Sequence, residues 1–205
     1  MFLRSRHNPW VRLAFVLGAM GLFLLGYQWG NESQRRHAEP PAINGVLVQP
    51  PAAIPGFRLE DPLGRPFDQE TLAAGWTLLT FGDLSGAQGQ LAIQRLIDVY
   101  NRVAEEADLQ EVLRLVLVTT TDAPNLARDF ARLSPALYVL WGEVEELKRL
   151  GDALGAGGEA EPALYVFAPG GYLVALLSGR DDGAVLAADL IALYKGVHLL
   201  LREVK

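Results

Sequence analysis

Few side chains in this sequence have the chemistry needed for catalysis or metal binding. The 205 residues include no cysteine and only three histidines. Without a thiol, the chain has no disulfides, no thiol redox chemistry and no thiolate metal ligands. Ser85 has no histidine near it in the sequence to act as its base, which disfavours nucleophilic catalysis. His198 lies in an apolar stretch without a second ligand nearby, as is typical of a packed or surface histidine.

Charge patterns give no sign of an enzyme either. Glu143, Glu145 and Glu146 fall on one turn of a predicted helix, where carboxylates are typical of a solvated face. The net charge of −6 disfavours a nucleic-acid partner, which requires a basic surface. The sequence therefore predicts no enzymatic activity, no metal or cofactor and no small-molecule substrate. Binding to another protein is the function class that we favour.

The polar residues of greatest interest lie where a buried strand meets a helix. Residues 76–81 are mainly large and apolar, which predicts a strand buried on both faces. A polar loop at residues 83–90 follows, and apolar side chains then recur at helical spacing from Leu91 to Tyr100. In parallel strand–loop–helix units, ligands bind at the loop. We therefore place the candidate site at residues 83–90.

The remaining chain predicts an α/β fold around this unit. A hairpin is expected at 57–67, and Asp68 is expected to cap a short helix. Further strands are predicted at 113–118, 137–141, 162–167 and 172–177, and helices at 90–107, 125–133, 143–154 and 183–203. This order fits a thioredoxin-like domain with a central, mostly parallel mixed sheet, an antiparallel hairpin and helices on both faces.

An apolar segment near the N-terminus predicts one transmembrane helix. Residues 13–30 carry no charge, and Val11 extends the segment past Arg12, whose side chain can snorkel, to the length of about 20 residues that crosses a bilayer. The segment is apolar all round, unlike a soluble amphipathic helix. Bulky residues at 27–29 disfavour a cleaved signal peptide. Three arginines precede the segment and two follow it, which favours an N-terminus inside the cell.

The predicted organisation has four parts. Residues 1–10 form a cytoplasmic N-terminus, residues 11–30 a signal anchor, residues 31–55 a proline-rich linker, and residues 56–205 the thioredoxin-like domain. Within the linker, residues 43–47 are the part that we expect to touch the domain. We expect a single-pass protein of the inner (cytoplasmic) membrane with its C-terminal domain on the periplasmic or extracytoplasmic side.

Three phrases of the sequence, taken in order, are similar to those of one protein family. Residues 54–64 repeat Ile-Pro-x-Phe-x-Leu-x-Asp-x-x-Gly. Residues 75–82 are similar to a Gly-x-Trp-x-Leu-x-x-Phe-Gly strand, with one residue fewer before the tryptophan. Residues 165–171 are similar to Tyr-Leu-x-Asp-Pro-x-Gly. Together the phrases resemble the Sco/SenC family, membrane-anchored thioredoxin-fold proteins of cytochrome c oxidase assembly. The resemblance covers about residues 43–194 and implies a fold, a location and a pathway.

The copper ligands that the resemblance implies are missing here. The family's Cys-Pro-x-x-Cys-Pro pair and its distal histidine fall on Gly86, Gln90 and Ala160. Copper(I) prefers soft sulfur or imidazole ligands. We therefore interpret the chain as a degenerate member without a metal site. Pro162 matches the place where thioredoxin folds carry a cis-proline, and a trans-proline that opens a strand is the alternative.

The preferred hypothesis is a non-catalytic protein that supports haem-copper oxidase assembly through contact with an oxidase subunit or another assembly factor. Its alternative is a binding module that regulates an active copper chaperone or thiol oxidoreductase. The loop is either a partner surface or a capping loop that drifted after its ligands were lost. Trp141 is either a recognition anchor or a packed side chain. The candidate partner-binding residues are Asp83, Leu84, Ser85, Gln88, Gln90, Trp141 and Pro162.

Overall fold

The computed structural model of the chain describes residues 18–23, 40–120, 124–156 and 163–201. The chain divides into two compact units, Met1–Glu39 and Pro40–Lys205. In the first unit residues 18–23 are helical, and the rest of the predicted membrane segment lies outside the described residues. No helix among the described residues has the length and apolar character needed to cross a bilayer.

Six strands form the central sheet of the second unit. The neighbours β4, β5 and β6 run parallel, whereas the pairings β4–β7, β7–β8 and β8–β1 are antiparallel. The predicted mixed sheet is therefore confirmed, although its parallel part is limited to three strands. In spatial order the strands are β1 (Val46–Ala53), β8 (Tyr172–Ser178), β7 (Ala163–Ala168), β4 (Trp76–Phe81), β5 (Leu113–Val118) and β6 (Leu137–Leu140).

The predicted hairpin is also present, as a separate two-stranded sheet of β2 (Arg58–Glu60) and β3 (Pro66–Asp68). Asp68 caps the short helix that follows, because its carboxylate accepts a hydrogen bond from the backbone N–H of Thr71 at 2.9 Å. This cap lowers the pKa of Asp68.

Helices cover both faces of the sheet. Successive side chains of a strand point to opposite faces, so Leu78 and Leu79 of β4 belong to two different apolar clusters. The first cluster is covered by α2 (Ala87–Arg102), α3 (Ala107–Val112), α4 (Pro124–Ala131) and α6 (Gly183–Leu200). The second is covered by α1 (Gln69–Ala73), α5 (Val144–Leu154) and the hairpin.

Strand β1 lies inside the segment predicted as a linker. It pairs with β8 on both sides of an irregularity between Leu47 and Ala52. The prediction of a linker over residues 31–55 is therefore wrong for residues 46–53. Pro50 and Pro51 caused the error, because proline breaks the ladder of a central strand but is tolerated on an edge strand. β1 is an edge of this sheet.

Candidate partner-binding site

The parallel strands place three loops at one edge of the sheet, the edge formed by the carboxyl ends of those strands. Phe81, Val118 and Leu140 lie in register at the carboxyl ends of β4, β5 and β6. Hydrogen bonds continue one residue further, since the N–H of Thr119 donates to the carbonyl of Leu140 at 2.9 Å. Trp141 follows directly. The loop after β4 and Trp141 therefore lie at the same edge, about 10 Å apart at the backbone given strand spacings near 4.8 Å.

Strand β7 brings a fourth segment to this edge. It runs antiparallel to β4, and the hydroxyl of Thr80 donates to the carbonyl of Ala163 at 2.9 Å. The start of β7 is therefore next to the end of β4. Pro162 and Ala160 precede Ala163 in the chain, but both lie outside the described residues, so their predicted roles stay predictions.

The loop between β4 and α2 is closed by its own hydrogen bonds. The Asp83 carboxylate accepts from the backbone N–H of Ser85 at 2.9 Å and from its hydroxyl at 2.7 Å. The carbonyl of Asp83 accepts from the N–H of Gly86 at 3.1 Å. The N–H of Leu84 points to the buried hydroxyl of Thr119, at 3.4 Å. An aspartate that binds the backbone two residues ahead is a common turn. The arrangement stabilises the loop, and the hydroxyl of Ser85 takes part in closing it.

Helix α2 begins three residues earlier than predicted, at Ala87. Gly89 explains the difference, because it is buried and its Cα lies against the loop. A Cβ atom there would stand 2.0 Å from the carbonyl oxygen of Asp83. Only glycine lets the first helical turn approach the loop so closely. As a result, Gln88 and Gln90 lie on the helix and not in the loop.

The two family cysteine positions fall on this first turn. Gly86 is the N-cap of α2 and has no side-chain cap. Its carbonyl accepts from the N–H of Gln90, one turn later, at 3.3 Å. Neither residue offers sulfur or imidazole. Within the described ranges, no three His, Cys, Asp or Glu side chains are grouped so that they could hold a metal ion. These residues do not fit copper(I).

Four of the predicted contact residues are exposed, and we call them together the loop face: Asp83, Ser85, Gln88 and Gln90. Leu84 is not part of it. Its side chain is 0% exposed and packs in the first apolar cluster. The prediction that Leu84 contacts a partner is therefore wrong, because burying this leucine is what holds the loop on the sheet.

Trp141 has a structural role. It is partly buried and packs against the first apolar cluster. Its backbone N–H donates to the carbonyl of Glu60 at 3.0 Å, and the reverse bond is 2.9 Å. These bonds attach the β2–β3 hairpin to the edge strand β6. The packing alternative for Trp141 is thus what the structure shows.

One apolar residue at this edge is exposed although its sequence pattern predicts burial. Val144, the first residue of α5, is 72% exposed. Its spacing with Leu147 and Leu150 predicts a place on the packed side of the helix, but only those two leucines are buried. No local signal distinguishes Val144 from them, because its exposure depends on how α5 meets the sheet.

One ionisable group near this edge, the Tyr165 phenol, has a shifted pKa. The ring of Phe81 packs edge-on against that of Tyr165, with centroids 5.9 Å apart. Burial raises the pKa of the Tyr165 phenol, which keeps it neutral at physiological pH. The geometry offers a rigid, polar surface.

No family model matches the sequence. A protein of Stutzerimonas stutzeri described as "Putative copper-binding protein" is 31% identical over 125 residues. The match covers 58% of this chain and 60% of that protein, so the chain spans about three fifths of the length of that relative.

Solved structures share the fold. The copper-bound ScoI of Arabidopsis thaliana superposes with a TM-score of 0.60 at 18% identity, over 72% of this chain and 99% of that one. The apo Sco1 of Thermus thermophilus gives a TM-score of 0.59 at 22% identity, over 76% and 99%. The resemblance predicted from the sequence is confirmed at the level of the fold: the chain has the thioredoxin-like fold of these Sco structures, and its sequence contains no cysteine.

Proposed function

We propose that the chain is a non-catalytic, membrane-anchored Sco-like protein that supports assembly of a haem-copper oxidase by binding another protein. The observation that carries this proposal is the identity of the residues at the first turn of α2. Gly86 and Gln90 stand where the family resemblance places two thiolates, and the sequence contains no cysteine at all. The fold is kept while the chemistry of the site is absent, which leaves contact with a partner as the function.

The loop face supports this proposal by its composition and rigidity. Its four side chains are polar and exposed, while Leu84 beneath them is fully buried. A surface held in one conformation loses little conformational entropy on binding. Its one charge is the Asp83 carboxylate, so the partner surface that fits it carries hydrogen-bond donors.

The membrane part of the proposal comes from the sequence. The apolar segment at residues 11–30 would hold the domain at the inner membrane, on the extracytoplasmic side. A partner that is itself a membrane protein would then be within reach. Protease protection of the domain in intact cells, and its loss after permeabilisation of the outer membrane, tests this orientation.

Copper binding is the first test of the inert site. The full chain is titrated with Cu(I) against a competing chelator, beside a variant with Gly86→Cys, Gln90→Cys and Ala160→His. A Cβ atom at position 86 would meet no atom closer than 3.5 Å, and Gln90 is exposed, so neither position excludes a cysteine by a clash at Cβ. We expect no binding by the wild type and one copper per chain in the variant. Stoichiometric binding by the wild type would overturn the proposal.

Contact through the loop face is tested by site-specific photo-crosslinking in cells. A photoreactive residue at Gln88 should capture a partner. The matched control is Asn101, which is exposed near the far end of the same helix, about 20 Å away. Capture of an oxidase subunit or assembly factor at position 88 alone supports the proposal. Capture of a copper chaperone or thiol oxidoreductase favours the regulatory alternative, and equal capture at both positions contradicts a role for the loop face.

A further inference from the structure

The segment that leads into β1 is fixed to helix α6 by a buried carboxylate. Asp189 is 3% exposed. Its two oxygens each lie 3.1 Å from the backbone nitrogen of Asn44. They also accept from the side-chain amide of Asn44 at 3.0 Å and from the N–H of Gly45 at 3.2 Å. Hydrogen bonds to an ionised acceptor are stronger than neutral ones. We call this contact of Asn44, Gly45 and Asp189 the latch.

Close packing dictates the glycine in the latch. A Cβ atom at position 45 would stand 2.5 Å from the carbonyl oxygen of Leu176 and 2.5 Å from a methyl carbon of Leu177. Any other residue would therefore push β8 away. The side-chain amide at position 44 supplies one donor to Asp189, and the packing requires glycine at 45. Together they place an Asn-Gly pair at this point.

We propose that Asn44 is a deamidation site and that the latch controls its reaction. Asn-Gly pairs are the most reactive for this chemistry because glycine has no side chain to obstruct the attack. The Gly45 nitrogen loses its proton and bonds to Cγ of Asn44, the Cγ–Nδ2 bond breaks, and ammonia leaves. Water then opens the cyclic imide and gives aspartate or isoaspartate. One water is consumed and no electrons are transferred.

The latch opposes the first step in the folded protein. The attacking nitrogen of Gly45 has its proton donated to Asp189, and the amide of Asn44 is held on the other oxygen of the same carboxylate. Attack requires both groups to be released and rotated. The reaction rate in the folded chain is therefore limited to the fraction of molecules in which the latch has opened.

The product prevents the latch from closing again. A carboxylate at position 44 replaces an amide donor that stood 3.0 Å from Asp189. Two carboxylates at this distance repel each other, and the buried Asp189 loses a partner. Deamidation would thus weaken the hold of α6 on the segment before β1, and because the lost ammonia is not replaced, the change would be one-way.

The test is a deamidation time course on the full chain in neutral buffer, folded and in urea, read by peptide mass spectrometry. Asn101 and Asn125 are internal controls, because the bulky Arg102 and Leu126 follow them. We expect Asn44 to react at least about tenfold more slowly in the folded chain than in urea, because the latch must first open. We expect Asp189→Asn to raise the folded-state rate. Equal folded and unfolded rates in the wild type would overturn the proposal.

Two further measurements keep the outcome unambiguous. If Asp189→Asn does not fold, the ratio of folded to unfolded rates in the wild type decides the question. If it folds but leaves the rate at Asn44 unchanged, the latch does not control the reaction and the proposal fails. Asn44→Asp imitates the product and should lower the melting temperature, whereas Asn101→Asp at an exposed position should not.

Discussion

The substitution Gly89→Ala tests the contact that shapes the candidate site. The new Cβ would lie 2.0 Å from the carbonyl oxygen of Asp83 and 2.5 Å from its carbonyl carbon. Both are backbone atoms, so no side chain can rotate away. Relief requires the first turn of α2 to move off the loop by more than 1 Å, roughly the gap to ordinary contact distances.

Two opposing terms set the size of the effect. Overpacking of this kind costs about 1–3 kcal/mol, occasionally more. Alanine in a helix gains about 1 kcal/mol over glycine. Because the clash is with fixed backbone, we expect the cost to exceed the gain and a net loss of about 1–2 kcal/mol. For a domain of this size that corresponds to a melting temperature lower by about 2–8 °C.

Gly151→Ala is the matched control. Gly151 also lies inside a helix, α5, but the nearest atom to its Cβ position is 4.0 Å away. Alanine should therefore stabilise the protein there by about 0.5–1 kcal/mol. Urea and thermal unfolding followed by circular dichroism measure both variants. If Gly89→Ala is as stable as the wild type, the close approach of helix and loop is not as the structure has it, and our explanation for the early helix start fails.

Three other perturbations have expected outcomes. Leu84→Ala should lower the free energy of unfolding by about 2–5 kcal/mol because this leucine is fully buried, while the exposed Ser85→Ala should change it by only about 0.5 kcal/mol. Arg65→Met should cost up to about 3 kcal/mol, toward the low end for a buried pair since the arginine is partly exposed. That arginine binds the fully buried Asp61 carboxylate at 2.7 and 3.1 Å. Tyr165 has a raised pKa in the folded protein through burial, so stability should fall as pH rises above about 10, where the unfolded phenol ionises.

Each of these expectations has an outcome that contradicts it. Urea denaturation should rank Leu84→Ala far below Ser85→Ala, and equal midpoints would place Leu84 outside the core. Adding Asp61→Asn to Arg65→Met should recover part of the loss, since it removes the uncompensated charge. No recovery would mean that the arginine acts through packing on Tyr138, over whose ring it lies at 4.1 Å. Tyr165→Phe should flatten the alkaline decline, and an unchanged pH profile would assign it to other groups.

The periodic elements could be predicted because their pattern is local. The apolar run of β4 and the spacing of apolar residues in α5 and α6 are readable from neighbouring residues. The predicted mixed sheet follows from the order of those elements. The identity of the missing ligands was also a matter of sequence alone, since a chain without cysteine cannot supply a thiolate.

Strand β1 and the start of α2 depended on contacts between residues distant in sequence. In the sequence, Pro50 and Pro51 predict a linker. In the structure they lie on an edge strand, where the missing backbone N–H of proline costs little stability. By local propensity alone, Gly89 disfavours a helix. In the structure, a glycine is needed there because a Cβ atom would clash with the carbonyl of Asp83. Local propensity is a weak prior, and tertiary packing overrides it at both places.

Some properties of the candidate site also followed from the sequence, whereas others depended on the tertiary structure. The sequence by itself determined that the loop after β4 carries no cysteine, histidine, lysine or arginine, because those are properties of residue type. Only the tertiary structure decided that Leu84 packs in the core and that the backbone of Trp141 binds the β2–β3 hairpin. It also decided that Asn44 donates hydrogen bonds to Asp189. Each of these depends on which side chain a distant segment buries, and one sequence pattern is compatible with several such packings.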